Sequence, residues 1–401
     1  MKKILITGGC GYLAGNLFSA LKKQGYKLAL SSRQSNNDSQ YYHYVPDDSQ
    51  SYLQIIKNFN PDIVIHTAWI NSLNQCEENE SLSEFANLTS SKSLIESISQ
   101  YNPEIKLIFI SSDYVFEGNN GQYKEESECK PITVYGKHKV QVEEAIVARL
   151  KNYLIIRTAN VYDLKSNFFN FIYSNLIEHN TIDVFYDTFF TPTYLGYFID
   201  SFLHLLQKDI TGVIHIAGSE RISRYQFAFQ LASVLHIEEK LIIPTKAPDK
   251  SLIASDVSLN SEYSRRLLSN YTPTIEKSFN FLLKRLIYPY FSYYDQRGGM
   301  LGITQNQSWE EINYVEAVQW AIRGGHYHKE TLEGFFIIEG RIRVETQKLN
   351  SKRYNQFFVE KGDIFFIEPN TIHTFYVLEN SKWINFLDKS MKLNHEDLHR
   401  P

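Results

Sequence analysis

Three groups of residues in this chain have the types and spacing that chemistry needs. Tyr135 and Lys139 stand four apart, which on a helix places them on one face. A phenol ionises at about pH 10 and is a poor proton source at neutrality, but a nearby ammonium stabilises the phenolate and brings the proton into use. The earlier run Phe109-Ile110-Ser111-Ser112-Asp113-Tyr114-Val115-Phe116 reads as a strand ending in hydroxyls. Ser112 there would hydrogen-bond a substrate carbonyl and polarise it toward hydride. A Tyr-x-x-x-Lys pair alone is common and usually an exposed helix turn; with the strand-end serine it becomes a specific set.

The second group is Ile4-Leu5-Ile6-Thr7-Gly8-Gly9-Cys10-Gly11-Tyr12-Leu13-Ala14-Gly15, a buried strand running into glycines and then a helix. Glycines let the backbone turn sharply and approach a pyrophosphate, whose charge the amides of a helix N-terminus stabilise. A plain structural turn is the competing explanation, disfavoured because this is the first strand–turn–helix of an α/β pattern. Gly8, Gly11, Tyr12 and Leu13 are therefore candidate cofactor contacts. The second strand ends in Ser31-Ser32-Arg33, where an NAD site usually offers an acid, so Arg33 points to the 2′-phosphate of NADP, with dual use open. In the third group, His326-x-His328 lies two apart on a strand, followed by Glu333 and later His373. Three imidazoles and a carboxylate suit a divalent transition metal, and do not by themselves choose among zinc, iron, manganese and nickel. Zinc is the first choice.

The elements that must position these residues follow from periodicity. Strand-like runs Ile4–Thr7, Lys27–Ser31, Ile63–Thr67, Leu107–Ser111 and Tyr153–Arg157 alternate with amphipathic stretches such as Leu17–Gln24, Ser83–Ser99 and Lys137–Leu150. That alternation predicts a parallel, doubly wound sheet. Near Tyr288 the texture changes to short runs, Phe335–Ile338, Ile342–Glu345, Gln356–Val359 and Ile364–Ile367, punctuated by Gly340 and Lys361-Gly362-Asp363, as in an antiparallel barrel or sandwich. The expected division is 1–287 and 288–401.

Composition narrows the function. At 401 residues the chain has room for roughly two to three folded units. A formal net charge of −4 gives no pull toward nucleic acid or an anionic membrane. Three scattered cysteines, Cys10, Cys76 and Cys129, suggest neither disulfides nor a zinc knuckle and fit a reducing cytoplasm. The apolar N-terminal run breaks at Gly8-Gly9 without a cleavage pattern, and no stretch approaches the ~20 apolar residues of a membrane span. A soluble, cytoplasmic protein is expected.

Over residues 1–285 the chain resembles the extended short-chain dehydrogenase/reductases, and within them the dTDP-4-dehydrorhamnose reductases. The resemblance rests on the Thr7–Gly15 loop, Ser111–Phe116, Tyr135 with Lys139, Arg157-Thr158-Ala159-Asn160-Val161-Tyr162, Thr191-Pro192-Thr193 and Gly212–Gly218. It implies a Rossmann-type fold with a small substrate subdomain, reduction of a 4-keto nucleotide-diphosphate sugar, and catalytic roles for Ser112, Tyr135 and Lys139. His66-Thr67-Ala68 and Asn87 stand where that family lines the cofactor, so Ala68 and Asn87 join the candidates. Ala14 replaces the loop's third glycine, and a small alanine still permits close helix–strand packing.

Residues 290–401 resemble the cupins: His326-x-His328, Glu333, Gly340, then Gly362, Glu368-Pro369-Asn370 and His373. Glu368 and Asn370 stand where Pro-x-Gly is common, and Gly324 and Gly325 displace the glycine expected before the first histidine. A reductase fused to a cupin is similar to bifunctional enzymes of capsular polysaccharide synthesis, in which the cupin epimerises a UDP-linked keto-sugar before C4 is reduced. The expectation is therefore an NADPH-dependent keto-sugar reductase with a metal-binding, epimerising or isomerising cupin barrel, in a homodimer. The alternatives are a reductase with a structural or dimerising cupin, a metal-dependent oxygenase cupin, and a catalytically silent nucleotide-binding regulator, the last disfavoured by the intact Ser112, Tyr135 and Lys139.

Overall fold

The structure, a computed structural model, describes all residues except 34–40, 46–47, 209, 250, 306, 353 and 391–396. The chain forms two compact units, Met1–Ala232 with Ile237–Leu268, and Ser233–His236 with Ser269–Pro401.

In the first unit seven parallel strands form one sheet: β1 (Lys3–Thr7), β2 (Lys27–Ser32), β3 (Tyr41–His43), β4 (Ile63–His66), β5 (Lys106–Ser112), β6 (Tyr153–Thr158) and β7 (Gly212–His215), in the order β7-β6-β5-β4-β1-β2-β3. β1 lies between β2 and β4, with Ile6 opposite Leu30 and Ile65. The central strands read as nearly continuous apolar runs because helices cover both faces. Leu17 and Leu21 of helix Tyr12–Lys23 pack on one face with Phe198 and Phe202. Ile56, Leu94, Ile98, Val142 and Ile146 pack on the other. The strand order reverses between β1 and β4, and open α/β sheets bind ligands at such a reversal.

The stretch Ser83–Ser99, expected as one helix, is broken: a π-helical turn at Glu84–Thr89 separates short helix Glu80–Ser83 from helix Ser90–Tyr101. Asn87, in that turn, buries its amide against Ile70, accepting from the Ile70 amide at 2.7 Å and donating to its carbonyl at 3.3 Å. Periodicity cannot anticipate the extra residue that such a turn inserts.

Helix Val134–Arg149 carries Tyr135 and Lys139 and is fixed at its N-terminal end. Thr133 Oγ1 accepts from the Gly136 amide at 3.1 Å, and Glu77 accepts from the Val134 amide at 2.6 Å. A Cβ on Gly136 would stand 2.1 Å from the Tyr114 carbonyl oxygen, so only glycine lets the helix approach this closely. Farther along, buried Glu143 accepts from Ser111 of β5 and from Arg157 of β6, the latter through Nη2 at 2.6 Å and Nε at 3.2 Å.

The second unit is antiparallel β. One sheet runs Glu311–Ala317, Ser381–Leu387, Glu333–Glu339, Ile364–Ile367, and the other Tyr354–Glu360, Arg341–Lys348, Thr371–Val377, Ile322–His328, Leu398–His399. Alternate side chains of both, including Phe335, Ile337, Val344, Val359, Phe375 and Trp383, fill one core. The unit begins before the change of texture at Tyr288, because Leu286 joins that core and Lys277 pairs with Glu360 at 3.1 Å and Asp363 at 3.0 Å. Among the described residues no helix is long and apolar enough to cross a membrane.

Removing Glu143 would leave the Arg157 guanidinium buried without its counter-charge. Glu143→Ala should cost about 3–5 kcal/mol in urea unfolding of the first unit. A loss below about 1 kcal/mol, the range of exposed pairs, would show that this ion pair does not hold the helix to the sheet.

Candidate functional site

A cleft of about 570 Å³ opens at the carboxyl ends of the first unit's strands, where Gly11, Tyr12, Leu13 and Ala14 meet Ser112, Tyr135 and Lys139. Gly11 is the N-cap of the twelve-residue helix Tyr12–Lys23, which has no acidic residue in its first turn and so presents a positive end to the cleft. Gly8 stands behind the loop with φ +75°, and a Cβ there would lie 2.7 Å from the Ala68 Cα. Its glycine is required by the packing of the β1 loop on the β4 loop. This amide-rich helix end, with no acidic residue in its own first turn, fits the pyrophosphate of a dinucleotide.

Lys139 is buried, donates to the Ile110 carbonyl at 2.7 Å, and lies over the rings of Trp69 (3.7 Å), Phe109 (4.6 Å) and Tyr135 (5.8 Å). Burial pulls its pKa down to about 7. Tyr135, edge-on to Trp69 and Tyr114, is pushed above the usual phenol range by burial, with a hydrogen bond to Ser112 acting the other way. The expected lowering of the phenol by Lys139 is not what this arrangement produces. The Lys139 ammonium is engaged by the Ile110 carbonyl and the indole, and desolvation dominates.

Asp113 is also buried, and Ser112 Oγ donates to its Oδ1 at 2.8 Å. Burial lifts its carboxyl to about 6, against the Ser112 hydrogen bond and the charge of Arg224. Arg224 lines the cleft, with its guanidinium 5.0 Å from the ring centroids of both Phe168 and Phe190.

In the second unit His326, Glu333 and His373 bring ligand atoms within 4.8 Å of one another. His328, the fourth expected ligand, stands outside that cluster but places Nε2 3.5 Å from Glu333 Oε2. His373 Nε2 is 3.1 Å from the same oxygen. The outer nitrogens are committed to carbonyls: His373 Nδ1 to Thr371 at 3.3 Å and His328 Nδ1 to Asp397 at 3.0 Å. A carbonyl only accepts, so both rings carry their proton on Nδ1 and turn a bare Nε2 toward the carboxylate. Glu333 Oε2 is buried without a hydrogen bond. Lone pairs facing lone pairs in a buried pocket call for a cation or a proton between them. Burial raises Glu333 to about 7. The donor set of imidazole nitrogens and one carboxylate fits a divalent transition metal.

Residues 1–287 match the RmlD substrate binding domain family. The chain belongs to that family. Residues 293–385 match the Polysaccharide biosynthesis C-terminal domain, a family other than the cupins that the histidine spacing resembles. Relatives of the RmlD-type portion include the spore coat polysaccharide biosynthesis protein SpsK of Bacillus subtilis, 29% identical over 61% of this chain and 83% of its own length. A dTDP-4-dehydrorhamnose reductase of Aggregatibacter actinomycetemcomitans is 27% identical over 58% of this chain and 78% of its own. The dTDP-4-dehydrorhamnose reductase of Bacillus anthracis, solved in complex with NADP, superposes with a TM-score of 0.63 over 70% of this chain and 98% of its own, at 22% identity, a likeness of fold.

Within the RmlD-type unit the structure sorts the sequence candidates. Ser112, Tyr135, Lys139, Gly11, Tyr12 and Leu13 meet in the cleft. Gly8, Ala68 and Asn87 lie outside that lining: Gly8 and Ala68 pack against each other, and Asn87 is hydrogen-bonded to Ile70 and Ser83. His66 is likewise internal, held between Thr7 and Ser91 at 2.7 Å each. Arg33 is exposed at the end of β2, outside the lining, and its neighbours 34–40 lie outside the described residues. Trp69, Asp113 and Arg224 were not singled out from sequence. Asp113 adjoins the strand-end serines, a signal available in the motif; nothing local marks Trp69 or Arg224.

The Asp113 carboxyl should be protonated below about pH 6. Infrared pH-difference spectra should show a protonated-carboxyl band that vanishes as the pH rises through that value and is missing from Asp113→Asn. A band unaltered by the substitution would place the titrating group elsewhere.

Proposed function

We propose that the RmlD-type unit is an NADPH-dependent reductase of a 4-keto nucleotide-diphosphate sugar, in the synthesis of a surface polysaccharide. The second unit, on this reading, is a cupin-like metal domain that epimerises or isomerises the keto-sugar beforehand. The observation that carries the first half is the convergence of Ser112, Tyr135 and Lys139 in one cleft with the N-terminus of helix Tyr12–Lys23.

The relatives' names support reduction and polysaccharide synthesis, and the solved NADP complex supports the cofactor. Gly11, Tyr12 and Leu13 would receive the pyrophosphate, and Arg33 the 2′-phosphate. When bound, the dihydronicotinamide supplies hydride to the carbonyl carbon. Ser112 orients the carbonyl oxygen, and Tyr135 gives it a proton, turning ketone into alcohol. Burial keeps Tyr135 protonated until that transfer, and Lys139 supplies the neighbouring positive charge that the phenolate then needs. Arg224, framed by Phe168 and Phe190 and hydrogen-bonded to Tyr114 in the cleft that Asp113 also lines, suits the substrate's phosphates.

In the second unit His326, Glu333 and His373, with His328 beside them, would hold one divalent metal, zinc for preference. A bound cation would stabilise the enolate formed when a base removes the proton beside the ketone. Epimerisation must precede reduction, because reduction removes the ketone that acidifies that C–H. A reductase with a non-catalytic second unit is the competing reading, since residues 293–385 match a family other than the cupins.

Tyr135→Phe should bind NADPH normally and lose roughly 10²–10⁴ in single-turnover NADPH oxidation with a 4-keto nucleotide sugar. Near-normal turnover would remove Tyr135 from the mechanism. With NADPH withheld, the unsubstituted chain should wash solvent deuterium into the carbon beside the ketone, and His373→Ala should not. Reduction without any exchange would establish the competing reading.

A further inference from the structure

We propose that Asp397 and the strand Leu398–His399 form a strap that keeps the proton of His328 on Nδ1 and so holds its Nε2 ready beside Glu333. The inference deepens the metal centre proposed above and rests on it for one of its two readouts.

The strap is far from its target in sequence and tight in space. Asp397 is buried, and its carboxylate collects the backbone amides that directly follow His328. Oδ1 accepts from Lys329 at 2.8 Å and Glu330 at 3.1 Å, while Oδ2 accepts from the Thr331 amide at 2.9 Å and its hydroxyl at 2.5 Å. One side chain therefore sets the loop that joins His328 to Glu333. The same residue's carbonyl oxygen receives His328 Nδ1 at 3.0 Å, and Oδ2 lies 3.8 Å from that nitrogen. Leu398 and His399 pair antiparallel with His328 and Tyr327, and the His399 ring stacks on Tyr327 at 5.2 Å. On the other side of the strand, the His328 carbonyl accepts from the Asn370 amide at 2.6 Å.

An imidazole held only by packing can flip, or move its proton between nitrogens. A fixed carbonyl acceptor at Nδ1 stops both, and leaves Nε2 as a lone pair facing the site. Asp397 lies behind His328 and touches neither Glu333 nor the other histidines among the contacts described. It is a positioning residue, and a merely structural strap would alter stability without altering the tautomer.

The test uses the full chain with isotope-labelled histidine. Long-range nitrogen–proton spectra of the metal-free protein report which ring nitrogen of His328 carries the proton, the signal being identified by its loss in His328→Gln. The natural protein should show the Nδ1–H form; Asp397→Ala keeps the main-chain carbonyl but frees the loop and the strand that fix it against Nδ1, and should shift toward the Nε2–H form that free side chains favour in water. Competition with a chromophoric chelator should show zinc affinity weakened about 10- to 100-fold in Asp397→Ala, as for other outer-shell partners of metal-binding histidines. Asp397→Asn, which keeps one acceptor oxygen, should fall between, and it carries the test if the alanine variant does not fold. An unchanged tautomer together with zinc affinity within about twofold, in whichever variant folds, would overturn the strap. If the natural protein takes up no zinc, the metal reading falls, and the tautomer measurement alone decides the strap.

Discussion

The reductase-like unit depends on how one helix, Val134–Arg149, is held against the sheet. That helix brings a phenol and an ammonium into an apolar cleft, and burying an ammonium is costly unless its surroundings are polarisable or charged. The Ile110 carbonyl and the Trp69 and Phe109 rings meet Lys139 at its head. Lower on the same helix, Glu143 faces both Arg157 and Ser111, tying it to the two strands whose ends form the cleft. A buried pair of this kind adds little net stability compared with apolar packing. It does penalise every register but one, because any slip leaves a carboxylate or a guanidinium alone in the core. Gly136 sharpens the constraint, since the helix can approach the Tyr114 carbonyl only where no Cβ intervenes.

The second unit meets the opposite problem. Its pocket gathers groups that repel one another, a buried carboxylate and imidazoles whose outer nitrogens are already committed to carbonyls. Such an arrangement is strained unless a cation or a proton sits among the lone pairs. The fold tolerates it because the histidines lie on paired strands with Phe335 and Phe375 packed close to His373 and Phe365 stacked behind Phe335, a rigid apolar backing. Rigidity of that sort is what a ligand set needs, since positions loose by an ångström lose much of their affinity.

Much of this was legible in the sequence where local patterns carry the information. The five apolar runs from Ile4–Thr7 to Tyr153–Arg157 are all strands of the parallel sheet, and Ile364–Ile367 begins and ends as read. Ser112, Tyr135 and Lys139 could be found because a strand end and a helical spacing of four each have a signature. What was not legible is what depends on partners remote in the chain. Asn87 matches a family position yet spends its amide on Ile70, and only the π-helical turn explains why. The desolvation of the Tyr135 phenol was hidden for a similar reason. Spacing says that a lysine is near, whereas the balance between its charge and desolvation is a property of the packed cleft.

The histidine site shows the same limit more sharply. Spacing of two promised that His326 and His328 would share a face, and their rings lie 5.1 Å apart; what spacing did not show is that the strand pairing shifts register just before them, between Gly324 and His326, where both glycines have positive φ. That irregularity sets where the histidine pair meets the neighbouring strand, a known use of β-bulges beside functional sites. His326 groups with Glu333 and His373, while His328 stands outside that cluster with its Nδ1 bonded to the Asp397 carbonyl. No periodicity links positions 328 and 397, and an aspartate among the last described residues carries no mark of its role. Its function comes into view only when three successive amides and one imidazole are found converging on it.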